Sequence, residues 1–413
     1  MSCGVGLWFG IVTGPGQAAV TVEDNIQGPT NAGKCIRIKN DYYELDLGSR
    51  GGQAVSFKTR YSSRQWLQPG GQGSNAGGLF VDYVGWDKSA ELGEYRDEGT
   101  YTVAGKSESQ VEVVFSGRLK EGIILLKRYV FNSASPVIGL RYTIKNDSKN
   151  EAVLNLSPRF SMHASGLSEQ NRCYRPYEYG VLVSDWNSPG QARGGEDEVK
   201  ALYAGWTAVI QDDNQEGLLW LMELSRLKSL INRPPARMAG WQYAEIKLPA
   251  GGQWTTDYTM MVLKTFNNVV HASPMLVAGL VMDVKKEFDL VNPENPDRPS
   301  FLLMNHTLCR STAGRLENVK LSGTLVEEGR DGARELPELD VGVLDWEPVT
   351  VFHKVTMKPD RWLKCVMTIS ATGPDKKPIR ENYEFYWQNP EIAGLNAASE
   401  TSKCPFTRPT PGK

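Results

Sequence analysis

The sequence lacks the features by which several classes of protein are recognised. Its formal net charge is −2 over 413 residues, so there is no excess positive charge to attract nucleic acid or an anionic membrane surface. No stretch beyond the N-terminal segment is long and apolar enough to span a membrane. Neither a phosphate-binding glycine motif nor a paired-cysteine zinc motif occurs. We therefore expect no nucleic acid partner, no membrane span, no metal and no cofactor.

Cysteine is scarce as well, with six residues in the chain, and the number of cysteines bears on whether the protein is exported. Residues 1–18 resemble a weak signal peptide, with an apolar run from Val5 to Val12 and small residues near Ala18. No positive charge precedes the run, so the alternative is that this segment is not a signal. Removal of a signal would take Cys3 with it and leave an odd number of cysteines, which cannot all pair. We expect export to the periplasm or the extracellular space, and Cys309 with Cys365 is the candidate bridge.

Short segments in which apolar and polar residues alternate are abundant. From residue 30 to 268 they follow one another between turns, and no long segment has helical periodicity. This pattern predicts an all-β protein whose first region is a large antiparallel sandwich. Segments 137–145 and 152–163 are predicted to form a hairpin across the polar residues 146–150. Two intervals, 66–97 and 165–201, are rich in glycine and aromatic residues and are interpreted as loops.

The later part of the chain contains a second series of short strands. Residues 269–297 are predicted to be a spacer, with a short helix between Phe266 and Leu280 and a proline-containing linker after it. Residues 298–392 hold six further strand-like segments, which is typical of an immunoglobulin-like β-sandwich. Residues 393–413 are small, polar and proline-containing, and we expect a disordered tail.

One segment, Ala152 to Gly166, carries most of the functional information. It alternates with period two, which predicts a strand with one apolar and one polar face. The apolar row consists of Leu154, Leu156, Phe160 and Met162. The polar row consists of Asn155, Ser157, Arg159, Ser161 and His163. The polar row is expected to meet solvent or a polar ligand, whereas the alternative is an ordinary half-exposed strand. Pro158 could mark a bulge, because proline cannot donate to a ladder.

Three pairs of short motifs resemble the galactose mutarotase-like superfamily. Residues 40–45 followed by 51–57 resemble its opening hairpin, residues 141–146 followed by 154–156 and His163 its central hairpin, and residues 248–252 followed by Tyr258 its closing hairpin. The resemblance covers somewhat over half of the chain. It implies a large antiparallel β-supersandwich, followed here by the smaller immunoglobulin-like sandwich. The same fold serves epimerases, lyases, glycosidases and binding proteins, so it implies fold more than activity.

The resemblance also implies candidate catalytic residues. In the aldose epimerases of the family a histidine acts as general acid and a glutamate as base, and the histidine matches His163. An unperturbed pKa near 6.5 suits proton donation close to neutral pH. No carboxylate occurs in residues 233–243, where the glutamate would be expected. Glu178, Asp185 and Glu223 are the remaining candidates for the base, and the alternative for each is a solvated or capping group.

Five further residues are candidates for binding the substrate. Arg159 could hold a sugar carboxylate, because a guanidinium group binds carboxylates through two parallel hydrogen bonds. Arg96, in the loop interval 66–97, is a further candidate. The alternative for Arg159 is a structural salt bridge to Glu178 or Asp185. The indole rings considered for stacking on a sugar ring are those of Trp86, Trp186 and Trp241. Their alternative is a place in the core.

These observations predict an exported protein that binds or acts on a mono- or oligosaccharide on the polar face near His163. As an enzyme, it would be an aldose epimerase-like isomerase or a glycan-cleaving enzyme. The alternative is a non-catalytic envelope or scaffold protein that uses its two β-sandwiches for protein contacts.

Overall fold

The computed structural model describes residues 19–28, 32–60, 62–63, 65–67, 78–86, 91–162, 171–177, 180–186, 197–211, 215–234, 237–287, 297–312 and 314–389. In this part of the chain nearly all regular structure is β-strand, and a short 3-10 turn spans Leu224–Arg226. The prediction of an all-β protein is therefore confirmed. Among the same residues, no helix has the length and apolar character needed to cross a membrane. The predicted signal peptide and tail lie outside the described residues.

In chain order the strands are β1 Thr21–Gln27, β2 Lys34–Lys39, β3 Tyr43–Gly48, β4 Ala54–Thr59, β5 Gly78–Trp86, β6 Gly93–Glu94, β7 Thr100–Lys106, β8 Gln110–Lys120, β9 Ile123–Asn132, β10 Val137–Asn146, β11 Ala152–Ser161, β12 Asn171–Tyr177, β13 Gly180–Asp185, β14 Asp197–Val199, β15 Trp206–Gln211, β16 Glu216–Met222, β17 Leu227–Arg233, β18 Met238–Tyr243, β19 Ile246–Leu248, β20 Gln253–Leu263, β21 His271–Ala272, β22 Leu276–Lys286, β23 Ser300–Arg310, β24 Leu316–Glu327, β25 Arg334–Leu344, β26 Val349–Val355, β27 Leu363–Thr372 and β28 Pro378–Trp387. They belong to two compact units. The larger unit contains the described residues of 19–175 and 183–263, and the smaller unit those of 176–182 and 264–389.

Two large antiparallel sheets build the larger unit. The first has the order β1-β2-β3-β4-β5-β11-β18-β17-β14, with β6 paired to β5 and β19 to β11. The second has the order β13-β12-β15-β16-β20-β10-β9-β8-β7. Strands such as β8 and β9 alternate between buried and more exposed positions, as expected when one face of a sheet covers a core. The inner faces meet directly, because the ring of Phe160 on β11 stacks on that of Trp220 on β16 at 3.6 Å.

The predicted hairpin across residues 146–150 is wrong, because β10 and β11 belong to different sheets. The reason is visible at Asn146, which is fully buried. Its side-chain amide donates to the carbonyl oxygens of Asn150, Leu248 and Pro249 at 2.8 to 3.1 Å. Asn146 thereby ties the β10–β11 connection to the β19–β20 connection, which also passes between the sheets. Turn composition alone does not distinguish such a crossing from a hairpin.

The irregularity near Pro158 lies on the neighbouring strand. Pro158 pairs in register with Asp82, and the register shifts only between Arg159 and Ser161. Opposite them, β5 carries one extra residue, and Phe80 there has a φ of 63°. A positive φ in a bulky residue is strained and persists only where surrounding contacts hold it. The bulge therefore belongs to β5, and the faces of β11 are as predicted on both sides of Pro158.

The smaller unit is a sandwich of two four-stranded antiparallel sheets, β21-β22-β23-β26 and β25-β24-β27-β28. The six predicted strand segments coincide with β23 to β28. Their inward residues, including Met304, Leu321 and Met367, form one apolar core. The predicted helix between Phe266 and Leu280 is wrong. This interval contains β21 and the start of β22, whose apolar residues pair along the whole of β23.

The proposed bridge between Cys309 and Cys365 is also wrong, because both are buried free thiols. Cys309 lies on β23 and Cys365 on β27, which belong to different sheets of the smaller unit. Burial raises the pKa of both thiols, so they are poor nucleophiles. Their role in this unit is that of small apolar side chains.

Candidate functional site

Strand β11 lies in the middle of the first sheet, between β5 and β18. Its predicted apolar row, Leu154, Leu156, Phe160 and Met162, is buried against the core. The alternating geometry of a strand turns the other row to the opposite face of the sheet. Asn155 and Ser161 are half-buried there, and Ser157 and Arg159 are buried. The prediction of an apolar and a polar face is thus confirmed for the residues up to Met162.

Arg159 is the centre of the polar face. Its guanidinium carbon lies 4.5 Å from the centre of the Tyr83 ring, a cation–π arrangement. Tyr83 comes from β5, where it pairs in register with Ser157. The Arg159 Nε donates to the Ser157 hydroxyl at 3.2 Å, and that hydroxyl donates to the Trp241 carbonyl at 2.8 Å. Three strands therefore hold the guanidinium group and the phenol ring against each other.

A glycine on β18 makes room for this arginine. Gly240 pairs with Arg159 in register. A Cβ atom at Gly240 would lie 2.3 Å from the Pro158 carbonyl oxygen and 2.9 Å from the Arg159 Cα. Any larger residue would push β11 and β18 apart, so the site depends on a glycine at this position. Next along the face, Met238 pairs with both Ser161 and Arg233, which places Arg233 on the same side of the sheet.

Charged groups surround the Tyr83 phenol. Glu94 on β6 pairs with Tyr83 in register, and Arg96 binds the Glu94 carboxylate through two hydrogen bonds of 2.7 Å. Burial raises the pKa of Tyr83, Glu94 raises it further, and Arg159, Arg96 and Arg233 lower it. The phenol is therefore surrounded by three cationic groups and one carboxylate. Such a surface can bind hydroxyl and carboxylate oxygens.

Beneath this face, a buried ion pair holds the bulge of β5. Lys127 on β9 is fully buried, and its Nζ lies 2.5 Å from the Asp82 carboxylate. It also donates to the carbonyl oxygens of Phe80 and Gly51, both at 2.8 Å. The Tyr142 hydroxyl donates to the other Asp82 oxygen at 2.6 Å. Asp82 directly precedes Tyr83, so the core fixes the strand that presents the phenol.

The three tryptophans chosen for stacking are found in different surroundings. Trp241 is buried and packs edge-on against Tyr258 at 4.8 Å. Trp186 is also buried, and its indole N–H donates to Asn232 at 2.8 Å. Trp86 is half-buried, with the Lys120 ammonium 5.0 Å from its ring centre. Stacking on a sugar needs an accessible ring face, and of these three side chains only Trp86 is not buried.

The candidate catalytic carboxylates are not gathered around Arg159 in the described residues. Asp185 is half-buried at the end of β13, in the second sheet. Glu223 is exposed after β16 in the same sheet, where it accepts hydrogen bonds from Ser225 at 2.7 Å and Arg226 at 3.3 Å. His163 and Glu178 lie outside the described residues, so their roles remain predictions. In the described ranges, no three His, Cys, Asp or Glu side chains are grouped so that they could hold a metal ion.

Several solved structures resemble part of the chain. A galactose mutarotase-like protein from Clostridium acetobutylicum is 12% identical; the match covers 60% of this chain and 99% of that protein, with a TM-score of 0.42. A galactose mutarotase-like protein from Lactobacillus casei is also 12% identical, over 55% and 99% of the two chains, with a TM-score of 0.37. The family that the sequence motifs resemble is therefore found among the structural neighbours.

A TPR-domain containing protein from Parabacteroides distasonis is 9% identical over 62% of this chain, with a TM-score of 0.41. This chain spans 55% of the length of that protein. No protein-family model and no curated protein matches the chain. These likenesses concern the fold and assign no role to any residue described here.

Three residues of the site were not found from the sequence. Tyr83 and Glu94 lie in an interval interpreted as a loop. Arg233 was considered only as part of residues 233–243, which contain no carboxylate. The run Leu79 to Val84 is rich in β-branched and aromatic residues, a signal that could have predicted β5. The meeting of Arg159 and Tyr83 depends on strand pairing, which no local pattern encodes.

Proposed function

We propose that the protein binds a carbohydrate on the polar face of its larger unit, at Arg159 and Tyr83. The observation that carries this proposal is the Arg159 guanidinium held 4.5 Å from the Tyr83 ring centre by strands β5, β11 and β18. Carbohydrate sites combine fixed polar groups with an aromatic surface, and this face offers both. The motif resemblance to the galactose mutarotase-like superfamily supports the same conclusion.

The charges favour an acidic sugar over a neutral one. Arg96 and Glu94 largely neutralise each other through their paired hydrogen bonds. Arg159 and Arg233 add positive charge around Tyr83. A uronate carboxylate would be attracted to this surface, while the sugar hydroxyls would contact Asn155 and Ser161 along the same strand.

A catalytic role is a further part of this proposal. The sequence pattern places His163 in the same polar row as Arg159, and it could donate a proton there. Glu178, Asp185 and Glu223 are the candidate bases. Replacement of His163 by Ala should then abolish turnover of the sugar without changing the unfolding transition, whereas unchanged turnover would remove this mechanism. Export is likewise a proposal, and N-terminal sequencing of the secreted protein tests it.

A thermal-shift screen tests the binding proposal. We expect glucuronate or galacturonate to raise the melting temperature more than glucose or galactose does. At a ligand concentration of 100 times Kd, the expected stabilisation is about 2.7 kcal/mol. Arg159→Gln should abolish the shift. The matched control is Arg141→Gln, which removes an exposed guanidinium group in the second sheet of the same unit and should leave the shift unchanged.

Two results would contradict the proposal. Equal shifts in the wild-type protein and Arg159→Gln would place binding elsewhere. An absence of stabilisation by every neutral and acidic sugar would favour the alternative, a protein-contact role for the two β-sandwiches.

A further inference from the structure

Two buried histidines of the smaller unit form a hydrogen-bonded pair that has no part in the proposed carbohydrate site. His306 on β23 and His353 on β26 are 0% and 1% exposed. The Nε2 of His306 lies 3.0 Å from the Nδ1 of His353. The Nε2 of His353 lies 2.8 Å from the carbonyl oxygen of Pro337 on β25. The result is a chain of two hydrogen bonds from β23 through β26 to β25.

The Pro337 carbonyl determines the protonation of both rings. A carbonyl oxygen can only accept, so the His353 Nε2 must carry a proton and donate it. In neutral His353 the Nδ1 is then an acceptor, and the His306 Nε2 must donate to it. The remaining His306 Nδ1 is left as an acceptor and has no partner among the described residues. When both rings are neutral, their protons therefore lie on Nε2.

These hydrogen bonds join the edges of two sheets. β26 is the last strand of one four-stranded sheet, and β25 is the first strand of the other. The β24–β25 register shifts around Pro337, which has no N–H to donate to a ladder. Besides the His353–Pro337 bond, Arg334 donates to the Thr356 carbonyl at 2.9 Å. The two sheets are thus connected at this edge by side chains as well as by core packing.

We propose that the His306–His353 pair is an acid-sensitive connection between strands β26 and β25 of the smaller unit. A proton on His353 Nδ1 would face the N–H of His306, and two donors repel each other. His306 would have to move its own proton to Nδ1, which faces no acceptor among the described residues. The cation would also lie in an apolar core. Opening of the β25–β26 edge towards water would let water accept from the unpaired N–H group and would hydrate the cation.

No charged group of the neighbouring strands compensates a proton on the pair. On β22, Leu280 pairs with His306, and on β23, Met304 pairs with His353. Four ion pairs involve charged side chains of these strands. These pairs are Glu338 with Lys320, Lys354 with Glu287, Asp283 with Lys285 and Lys364 with Glu384. On β25, Glu335 and Asp340 are exposed.

The direction of the pH effect follows from the pKa values. Burial, and then the neighbouring His353, lower the pKa of His306 from 6.5 to about 3. Burial lowers that of His353, and its bond to Pro337 opposes this shift. Because the folded pKa lies below the unfolded one, the stabilisation is complete above about pH 6.5 and is lost as the pH falls towards 3. Between pH 7.5 and 5.5 the opening constant should rise about tenfold for His306 alone.

Hydrogen exchange of the full chain at pH 7.5 and 5.5, corrected for intrinsic exchange rates, tests this inference. We expect the protection of β23 and β26 to fall at least about tenfold at pH 5.5. β10 in the larger unit contains no histidine, and its protection should change little. In His306→Phe/His353→Gln the pH dependence should disappear, because neither residue titrates and the glutamine can still donate to Pro337. His271→Gln, which changes a partly exposed histidine of the same unit, should retain it.

A second measurement does not depend on the variants. Nitrogen chemical shifts of the wild-type imidazole rings should show His306 and His353 neutral, with the proton on Nε2, in the folded protein at pH 5.5. Equal protection of β23 and β26 at the two pH values would overturn the inference. So would an undiminished pH dependence in the double variant, or a protonated ring in the folded protein.

Discussion

Lys127 and Asp82 in the larger unit and His306 and His353 in the smaller unit are both pairs of titratable side chains within a core. The first pair is surrounded by hydrogen-bonding groups. The Lys127 ammonium has close contacts to Phe80, Gly51 and Asp82, and the second Asp82 oxygen accepts from Tyr142. The histidine pair has one external acceptor, the Pro337 carbonyl.

The difference shows what allows a charge to remain in a core. Burial alone raises the pKa of Asp82 and lowers that of Lys127, which favours the neutral forms of both. The contact between Asp82 and Lys127 and the hydrogen bond from Tyr142 oppose these pKa shifts, because each stabilises a charged form. The histidines lack such partners and are neutral. The stability of the larger unit therefore depends on the Lys127–Asp82 ion pair. The stability of the smaller unit depends on His306 and His353 remaining neutral.

The largest expected effect is that of breaking the ion pair. Lys127→Met would leave Asp82 as a buried charge without its cation and would remove the donor to the strained bulge at Phe80. We expect the free energy of unfolding of the larger unit to fall by about 3–5 kcal/mol. Urea unfolding followed by tryptophan fluorescence measures this change.

The matched control is an exposed ion pair of the same unit. Arg141 binds Asp257 through two hydrogen bonds of 2.7 and 2.9 Å, and the two side chains are 53% and 45% exposed. Arg141→Met should cost less than about 1 kcal/mol, because solvent screens this pair. A cost for Lys127→Met no greater than that of Arg141→Met would mean that the buried pair does not stabilise the bulge.

The sequence predicts the positions of the strands better than it predicts which strands pair with each other. Alternation correctly located strands such as β9, β11 and β27, because one face of each is buried. It did not locate β5, whose burial on both faces and bulge at Phe80 hide the period of two. The polar residues 146–150 wrongly predicted a hairpin between β10 and β11. The chain crosses between the sheets at the buried Asn146, and this burial depends on tertiary contacts that a local sequence pattern does not show. Arg159 could be chosen from the strand pattern, whereas its partner Tyr83 could not.

An intermediate effect is expected from the histidine pair at pH 7.5. His353→Leu leaves the His306 N–H without its acceptor and the Pro337 carbonyl without its donor. We expect this variant to lose about 1–3 kcal/mol, which unfolding in urea would measure. Addition of His306→Leu removes the unpaired N–H and should recover part of the loss. A double-variant cost equal to the sum of the two single costs would show that the rings are not coupled.

The smallest expected effect is that of Glu223, one of the candidate catalytic bases. Its side chain is 51% exposed and pairs with Arg226 three residues later, so the contact is local and solvated. Glu223→Gln should change the free energy of unfolding by less than about 0.5 kcal/mol. If turnover of the sugar also remains unchanged in this variant, Glu223 is not the base, which must then be sought elsewhere. Loss of turnover with an unchanged unfolding transition would instead assign Glu223 to the chemistry, because no structural role of this exposed carboxylate could account for it.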